Sequence, residues 1–280
     1  MIKINIGDFD FGGRELKTLF FKCDNFLELT SYARVKGFEN TVYAAKTKRR
    51  FNGKAFKKCI NFDAISGEEQ KELEKMLKKE IEKVETESEN SRFDVFGEEL
   101  DIGRYMGGEP ECFRQLISDV QDSKKILIKV NMSINCGKKV ESITKRAIYI
   151  MALYELFRLK NIFVDIEFCF NGEYYYQYQT DKYQAFSITV GPMSDPPKKI
   201  IFNALTGDFY RRVFHSLYMY FSFDKYYANA TCEEVFSTEE ERKKYDNIVV
   251  FCGGFSDYSL ERKYAEIIES GVMEKEVIVG

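Results

Sequence analysis

KKILIKVNMSINCGKKVESITKRAIYIMALYELFRLKNIFVDIEFCF, residues 124–170, carries the pattern on which the fold turns. Its opening residues, 124–130, are dominated by branched apolar side chains and read as a buried strand. From Lys138 the period changes: Val140, Ile143, Ala147, Ile150, Met151, Tyr154 and Phe157 recur about every 3.6 residues, which predicts a helix. IFVDIEFCF, 162–170, reads as the next strand. A strand, helix, strand unit of this length makes a right-handed parallel crossover.

Downstream, AFSITVG (185–191), KKIIFNA (198–204) and NIVVFCGG (247–254) read as further strands. Helices are expected around GDFYRRVFHSLYMYF (207–221) and in SLERKYAEIIES (259–270), and MEKEVIVG (273–280) supplies an edge strand. Strands alternating with helices predict an α/β fold, a mostly parallel sheet flanked by helices in Rossmann-like layers. Upstream, the sequence opens with a short strand-like stretch, GDFDFGG (7–13) reads as a turn, and DNFLELTSYARVK (24–36) as a helix. Ser66 and Glu69 form a capping box for a longer helix carrying Leu73, Met76, Leu77, Ile81 and Val84 on one face. TESENS (86–91) reads as a linker, which divides the chain into a smaller N-terminal α+β segment, 1–90, and an α/β domain, 91–280.

Composition restricts the function. Apolar residues make up 44% and charged residues 31% of the 280, so the chain is expected to fold around a real core. The formal net charge of −3 gives no global attraction for nucleic acid. No apolar run is long enough to span a membrane, and MIKINIGDFDFGGRE (1–15) lacks the regions of a signal peptide, so the expected location is the cytosol. The seven cysteines are scattered without a CxxC pair and are expected to be reduced, and the single histidine, His215, argues against structural zinc.

One loop cluster is the candidate binding site. In a doubly wound sheet the loop after residue 130 lies at the carboxyl edge, where such sheets bind ligands. Asn131, Ser133 and Asn135 follow that strand, Asp257 follows NIVVFCGG, and Asp195 and Thr206 sit in loops expected to reach the same rim. The same letters also fit a plain polar turn with a helix cap.

At these residues the chain resembles a von Willebrand factor A domain. That family holds magnesium with a DxSxS motif after its first strand and a later carboxylate; here the motif stands as NMSIN, and the later turn as FCGGFSD. Asn131 and Asn135 replace an acid and a serine, and neutral oxygens hold magnesium weakly, so the resemblance implies a degenerate rim with no metal and no cofactor. FDVFGEELDIGRYMGGEPECF (93–113) also resembles a motif, DVGRYLxGEPECM, of uncharacterised phage and prophage proteins, which implies a mobile-element origin.

Other features have a plain reading beside a functional one. Residues 46–58 place Lys46, Lys48, Arg49, Arg50, Lys54, Lys57 and Lys58 beside Phe51 and Phe56 without an acid, the make-up of a nucleic-acid surface and equally of a solvated helix face. Asp165 and Glu167 alternate on one face of their strand, as a metal-binding pair or as the polar side of an edge or half-exposed strand. YYYQYQTDKYQ (174–184) suits a recognition surface or a hairpin. Cys112 with His215 makes an unsupported nucleophile pair, and phosphate-loop, dinucleotide and GxSxG signatures are missing. The sequence therefore predicts a non-enzymatic interaction module that binds a protein, such as a host or defence component that it inhibits, through the carboxyl-edge loops. Two alternatives stand beside it: a nucleic-acid-binding protein using the basic stretch, and a metal-dependent enzyme built on Asp195 and Asp257.

Overall fold

The computed structural model describes residues 1–11, 14–37, 56–88, 93–94, 99–100, 106, 113–114, 124–133, 138–160, 162–173, 184–221, 238–253, 256–270 and 276–279. Seven strands form one sheet: β1 (Lys3–Phe11), β2 (Arg14–Cys23), β6 (Lys125–Asn131), β7 (Phe163–Glu173), β8 (Ala185–Met193), β9 (Asn247–Phe251) and β10 (Glu276–Val279). Their spatial order is β1-β2-β8-β7-β6-β9-β10. Four neighbouring pairs are parallel, β2 with β8, β6 with β7, β6 with β9 and β9 with β10; β1 with β2 and β7 with β8 are antiparallel. Three two-residue strands, β3 (Phe93–Asp94), β4 (Glu99–Leu100) and β5 (Phe113–Arg114), make a second small sheet.

The 124–170 unit folds as its periodicity predicts. Helix α4 (Val140–Leu159) joins the parallel neighbours β6 and β7. Around it lie α1 (Phe26–Val35), α2 (Phe56–Ile60), α3 (Gly67–Ser88), α5 (Lys198–Ala204), α6 (Gly207–Phe209), a π-helical turn at Tyr210–Phe214, α7 (His215–Phe221) and α9 (Asp257–Ser270). Strand alternation decides which face they cover. Ile126, Ile128 and Val130 of β6, Val164, Ile166, Phe168 and Phe170 of β7, and Phe186, Ile188 and Val190 of β8 point into one continuous core with side chains from α1 to α7 and α9. Phe26 sits at its centre, 4.8 Å from the Phe168 ring and 5.4 Å from that of Phe209. A buried Phe contributes about 1.5–3 kcal/mol by desolvation alone, so this aromatic layer is the main anchor between α1 and the sheet.

The opposite face is polar. Among the described residues, one helix, α8 (Glu239–Lys244), crosses it, and Tyr245 just after that helix packs with Leu127, Ile248 and Val250 as a small second cluster.

Three expectations differ from this structure. KKIIFNA is helix α5 rather than a strand: Pro197 precedes it, and its last turn, Ile201, Phe202, Asn203 and Ala204, is buried. Asp165 and Glu167 lie on a central strand, not an edge, and both are buried. Residues 7–11 of GDFDFGG lie in strand β1 rather than in a turn. Among the described residues, β2 pairs with β8 and Leu77 shares its core with Ile128. The expected capping box is present, with Ser66 N donating to Glu69 at 2.7 Å and Glu69 N to Ser66 Oγ at 3.2 Å. The edge strand β10 and the helix of residues 24–36 stand as expected.

Candidate functional site

Strands β6 and β9 both end at one rim. There Asn131, Ser133 and Asp257 come together with two residues that sequence reasoning passed over, Ser142 and Arg146. Asn131 Oδ1 accepts from Ser133 N at 2.9 Å, and Asp257 accepts from the Ser142 hydroxyl at 2.8 Å. Arg146 donates to the main-chain oxygens of Asn131, at 2.7 Å, and Phe251, at 3.0 Å, clamping the two strand ends together. Burial lowers the Arg146 guanidinium to about 10, which leaves it charged at neutral pH.

This geometry consumes the expected site. Asn131 and Ser133 are 2% and 0% exposed, so they face the interior and offer a partner nothing. Asp195 lies at the other end of the sheet, since Met193 pairs with Ile166 near the start of β7, and its carboxylate meets Arg158 in the last turn of α4 at 2.9 Å. Thr206 caps α6 within the helical layer, beside an apolar pocket of about 230 Å³ between α3, α4 and α5. Asn135 lies outside the described residues, as do Lys46, Lys48, Arg49, Arg50, Lys54, Cys112 and most of the 174–184 stretch. Lys57 and Lys58 are exposed on α2, whose Phe56, Cys59 and Ile60 are buried. His215 is buried, its ring 5.6 Å from that of Tyr218. Among the described residues, no cluster of three or more acidic, histidine or cysteine side chains is placed to hold a metal.

A second polar assembly occupies the open face of the sheet. Lys129 projects from the middle of an apolar strand and would be costly there unpaired. Its ammonium lies 2.7 and 2.9 Å from the two carboxylate oxygens of Glu241 and 3.3 Å from Glu167. Desolvation pulls the Lys129 ammonium down, but Cys169, Glu167 and Glu241 together outweigh it and hold its pKa above the ordinary value. The Cys169 thiol donates to Glu167 at 3.2 Å; burial first, and that carboxylate second, push it well above the thiol range. Asp165 accepts from the Tyr245 and Ser194 hydroxyls, each at 2.6 Å, and burial followed by the Asp165 bond raises the Tyr245 phenol. Glu241 also completes a capping box with Thr238, so one side chain both starts α8 and neutralises Lys129.

Beside this network the face sinks into a trough of about 540 Å³ whose other wall is β1 and β2. Register fixes its floor. Asn5, Phe20, Ser187 and Asn171 stand side by side on four adjacent strands, and Lys3, Lys22, Thr189 and Cys169 form the next row. Asn171 is 6% exposed and its Oδ1 has no hydrogen-bond partner among the described residues.

A family model described as a domain of unknown function, DUF7192, matches residues 22–266. The chain belongs to the DUF7192 family. The DUF7192 match runs from the end of β2 to the last turns of α9 and so takes in Lys129, Glu167, Cys169, Asn171, Ser187, Thr189 and Glu241. Strand β1 and most of β2, with Lys3, Asn5 and Phe20, precede it. No curated protein and no solved structure matches the chain.

The sequence signal for the sheet-face site was a charge inside an apolar run, Lys129 in KILIKV, together with the alternation of Asp165 and Glu167. Neither pointed to Glu241, which lies 112 positions from Lys129.

Proposed function

We propose that this protein acts by binding rather than by catalysis, and that it receives its partner in the trough on the polar face of the sheet. The observation that carries this reading is the trough itself: about 540 Å³ floored by amide and hydroxyl side chains, beside an ion network in which Lys129 is shared by Glu167 and Glu241. Pockets of this size with a few convergent polar groups are the usual form of a ligand site. The titratable groups beside it are poorly poised for chemistry at neutral pH. The Cys169 thiol and the Tyr245 phenol are both held in their protonated forms, and Lys129 is paired on two sides.

Two features support a distant von Willebrand factor A likeness: the parallel β6, α4, β7 unit, and the meeting of Asn131, Ser133 and Asp257 at one rim. With Arg146 holding the rim carbonyls, the rim acts as a structural joint, and partner recognition moves to the sheet face. The phage-like origin and the role as an inhibitor of a host component remain part of the proposal, resting on the 93–113 motif.

The test compares what tagged full-length protein recovers from its native cells in wild-type form and in three variants. Thr189→Arg fills the trough, Asp257→Lys disturbs the rim, and a triple charge reversal at Lys48, Arg49 and Arg50 alters the basic stretch. Loss of the wild-type partner in Thr189→Arg alone is the expected result. Loss confined to Asp257→Lys returns recognition to the rim, and loss confined to the triple reversal assigns it to the basic stretch.

A further inference from the structure

We infer that the trough takes a single nucleotide, its base laid over Phe20 and its phosphate held between Lys3 and Lys22. This inference rests on the reading of the trough as the binding surface and names what enters it.

The two lysines are direct cross-strand neighbours in the β1 and β2 hairpin. Like charges directly opposite destabilise a hairpin, so the pairing calls for an anion between them. Both side chains are exposed, and neither has an ion-pair or hydrogen-bond partner among the described residues. Asp24 feels both lysines, but its carboxylate is engaged by the amino group of Met1. Glu167 and Glu241 share the single cation Lys129, and Glu240 stands with Lys244 on the far wall formed by α8. Charge complementarity therefore favours an anionic ligand group at the β1 and β2 end.

One row along the strands lies an aromatic platform. Phe20 is half-buried in the trough, braced edge-on by Phe9 with ring centroids 6.0 Å apart. Flanking it are Asn5 on one side, and Ser187 and the unpartnered amide oxygen of Asn171 on the other. A flat aromatic face between amides and hydroxyls is how sheet surfaces hold unstacked bases, with stacking worth about 1–3 kcal/mol per base. An amide supplies both donor and acceptor for a base edge. One platform and one lysine pair count one base and one phosphate, which fits the trough and favours a free nucleotide over a strand.

The experiment is an anisotropy titration of the full chain with N-methylanthraniloyl-labelled AMP, followed by competition with the four unlabelled nucleoside monophosphates, adenosine and a single-stranded octanucleotide. The expected result is saturable binding, displaced by at least one monophosphate and at least tenfold less well by adenosine. Lys22→Glu and Phe20→Leu should each weaken binding at least tenfold without lowering the melting temperature, whereas Lys57→Glu/Lys58→Glu should leave it unchanged. No binding at millimolar nucleotide, binding indifferent to Lys22→Glu, or binding of the octanucleotide alone overturns the inference. Should nucleotides fail while Thr189→Arg still abolishes recovery of a cellular partner, the trough stands as the binding surface and only its ligand class is wrong.

Discussion

The guanidinium of Arg146 donates a 2.7 Å hydrogen bond to the main-chain oxygen of Asn131, placing a buried cation of the protein's own at the end of β6. A second bond, to Phe251, ties in β9. Arg146→Met keeps the volume but leaves both carbonyl oxygens without this donor, and an unmade buried hydrogen bond costs about 1–3 kcal/mol. The expected outcome in urea denaturation is an unfolding free energy lowered by that order, seen as a lower midpoint, with Arg146→Lys recovering part of it. An unchanged midpoint would show that the clamp contributes nothing.

Lys129 and Glu167 are both about 4% exposed at their side chains, so removing one strands the other. Lys129→Met should destabilise by about 3–5 kcal/mol, the usual cost of orphaning a buried charge. The double variant Lys129→Met/Glu167→Leu should recover most of that loss, because an apolar pair needs no counter-ion. Glu241, nearer the surface, keeps its cap on Thr238 in both. Equal losses in the single and double variants would argue against the pairing.

Alkaline pH should weaken the fold from about 9 upward. The Cys169 thiol, the Tyr245 phenol and the Lys129 ammonium all have folded pKa values raised above their ordinary 9.0, 10.0 and 10.5. Each therefore binds its proton more tightly when folded, contributes fully below its unfolded pKa, and loses that contribution as pH climbs toward the folded value. Arg146 works the other way above pH 10, its folded pKa being depressed. Chemical denaturation at pH 7 and pH 10 should show lower stability at the higher pH, and Tyr245→Phe should shrink the difference. A difference that Tyr245→Phe leaves intact would locate the titration elsewhere.

Gly253 and Gly67 offer a matched comparison. A Cβ at Gly253 would run into the main-chain oxygen of Ser133, where the loop after β9 presses on the loop after β6. At Gly67, the first residue of α3, a Cβ meets nothing within 4 Å. Gly253→Ala should cost about 1–3 kcal/mol through the forced backbone shift. Gly67→Ala should be neutral or stabilising by up to about 1 kcal/mol, as the unfolded chain loses freedom. Thermal melts of the two variants decide it; similar melting temperatures would mean that the two loops can part without penalty.

The chain's own letters settled the parts of this protein governed by local periodicity. The β6, α4, β7 unit follows from a change of hydrophobic period between residues 124 and 170, and the Ser66 cap from two side chains three residues apart. Chemistry decided within one turn or one strand is written locally, so it can be read locally. KKIIFNA shows the limit: a short apolar run fits a strand or a helix, and the packing of Ile201 and Phe202 into the core chose the helix. Long-range placement was settled by the tertiary structure alone. Asp195 left the expected rim because β8 runs antiparallel to β7, a choice that strand composition does not encode. The trough depends on Lys3 meeting Lys22 and on Asn171 meeting Ser187, pairings set by register across four strands. Such partners are brought together by burial of the opposite, apolar face, which fixes the sheet and thereby decides which polar residues must share the other side.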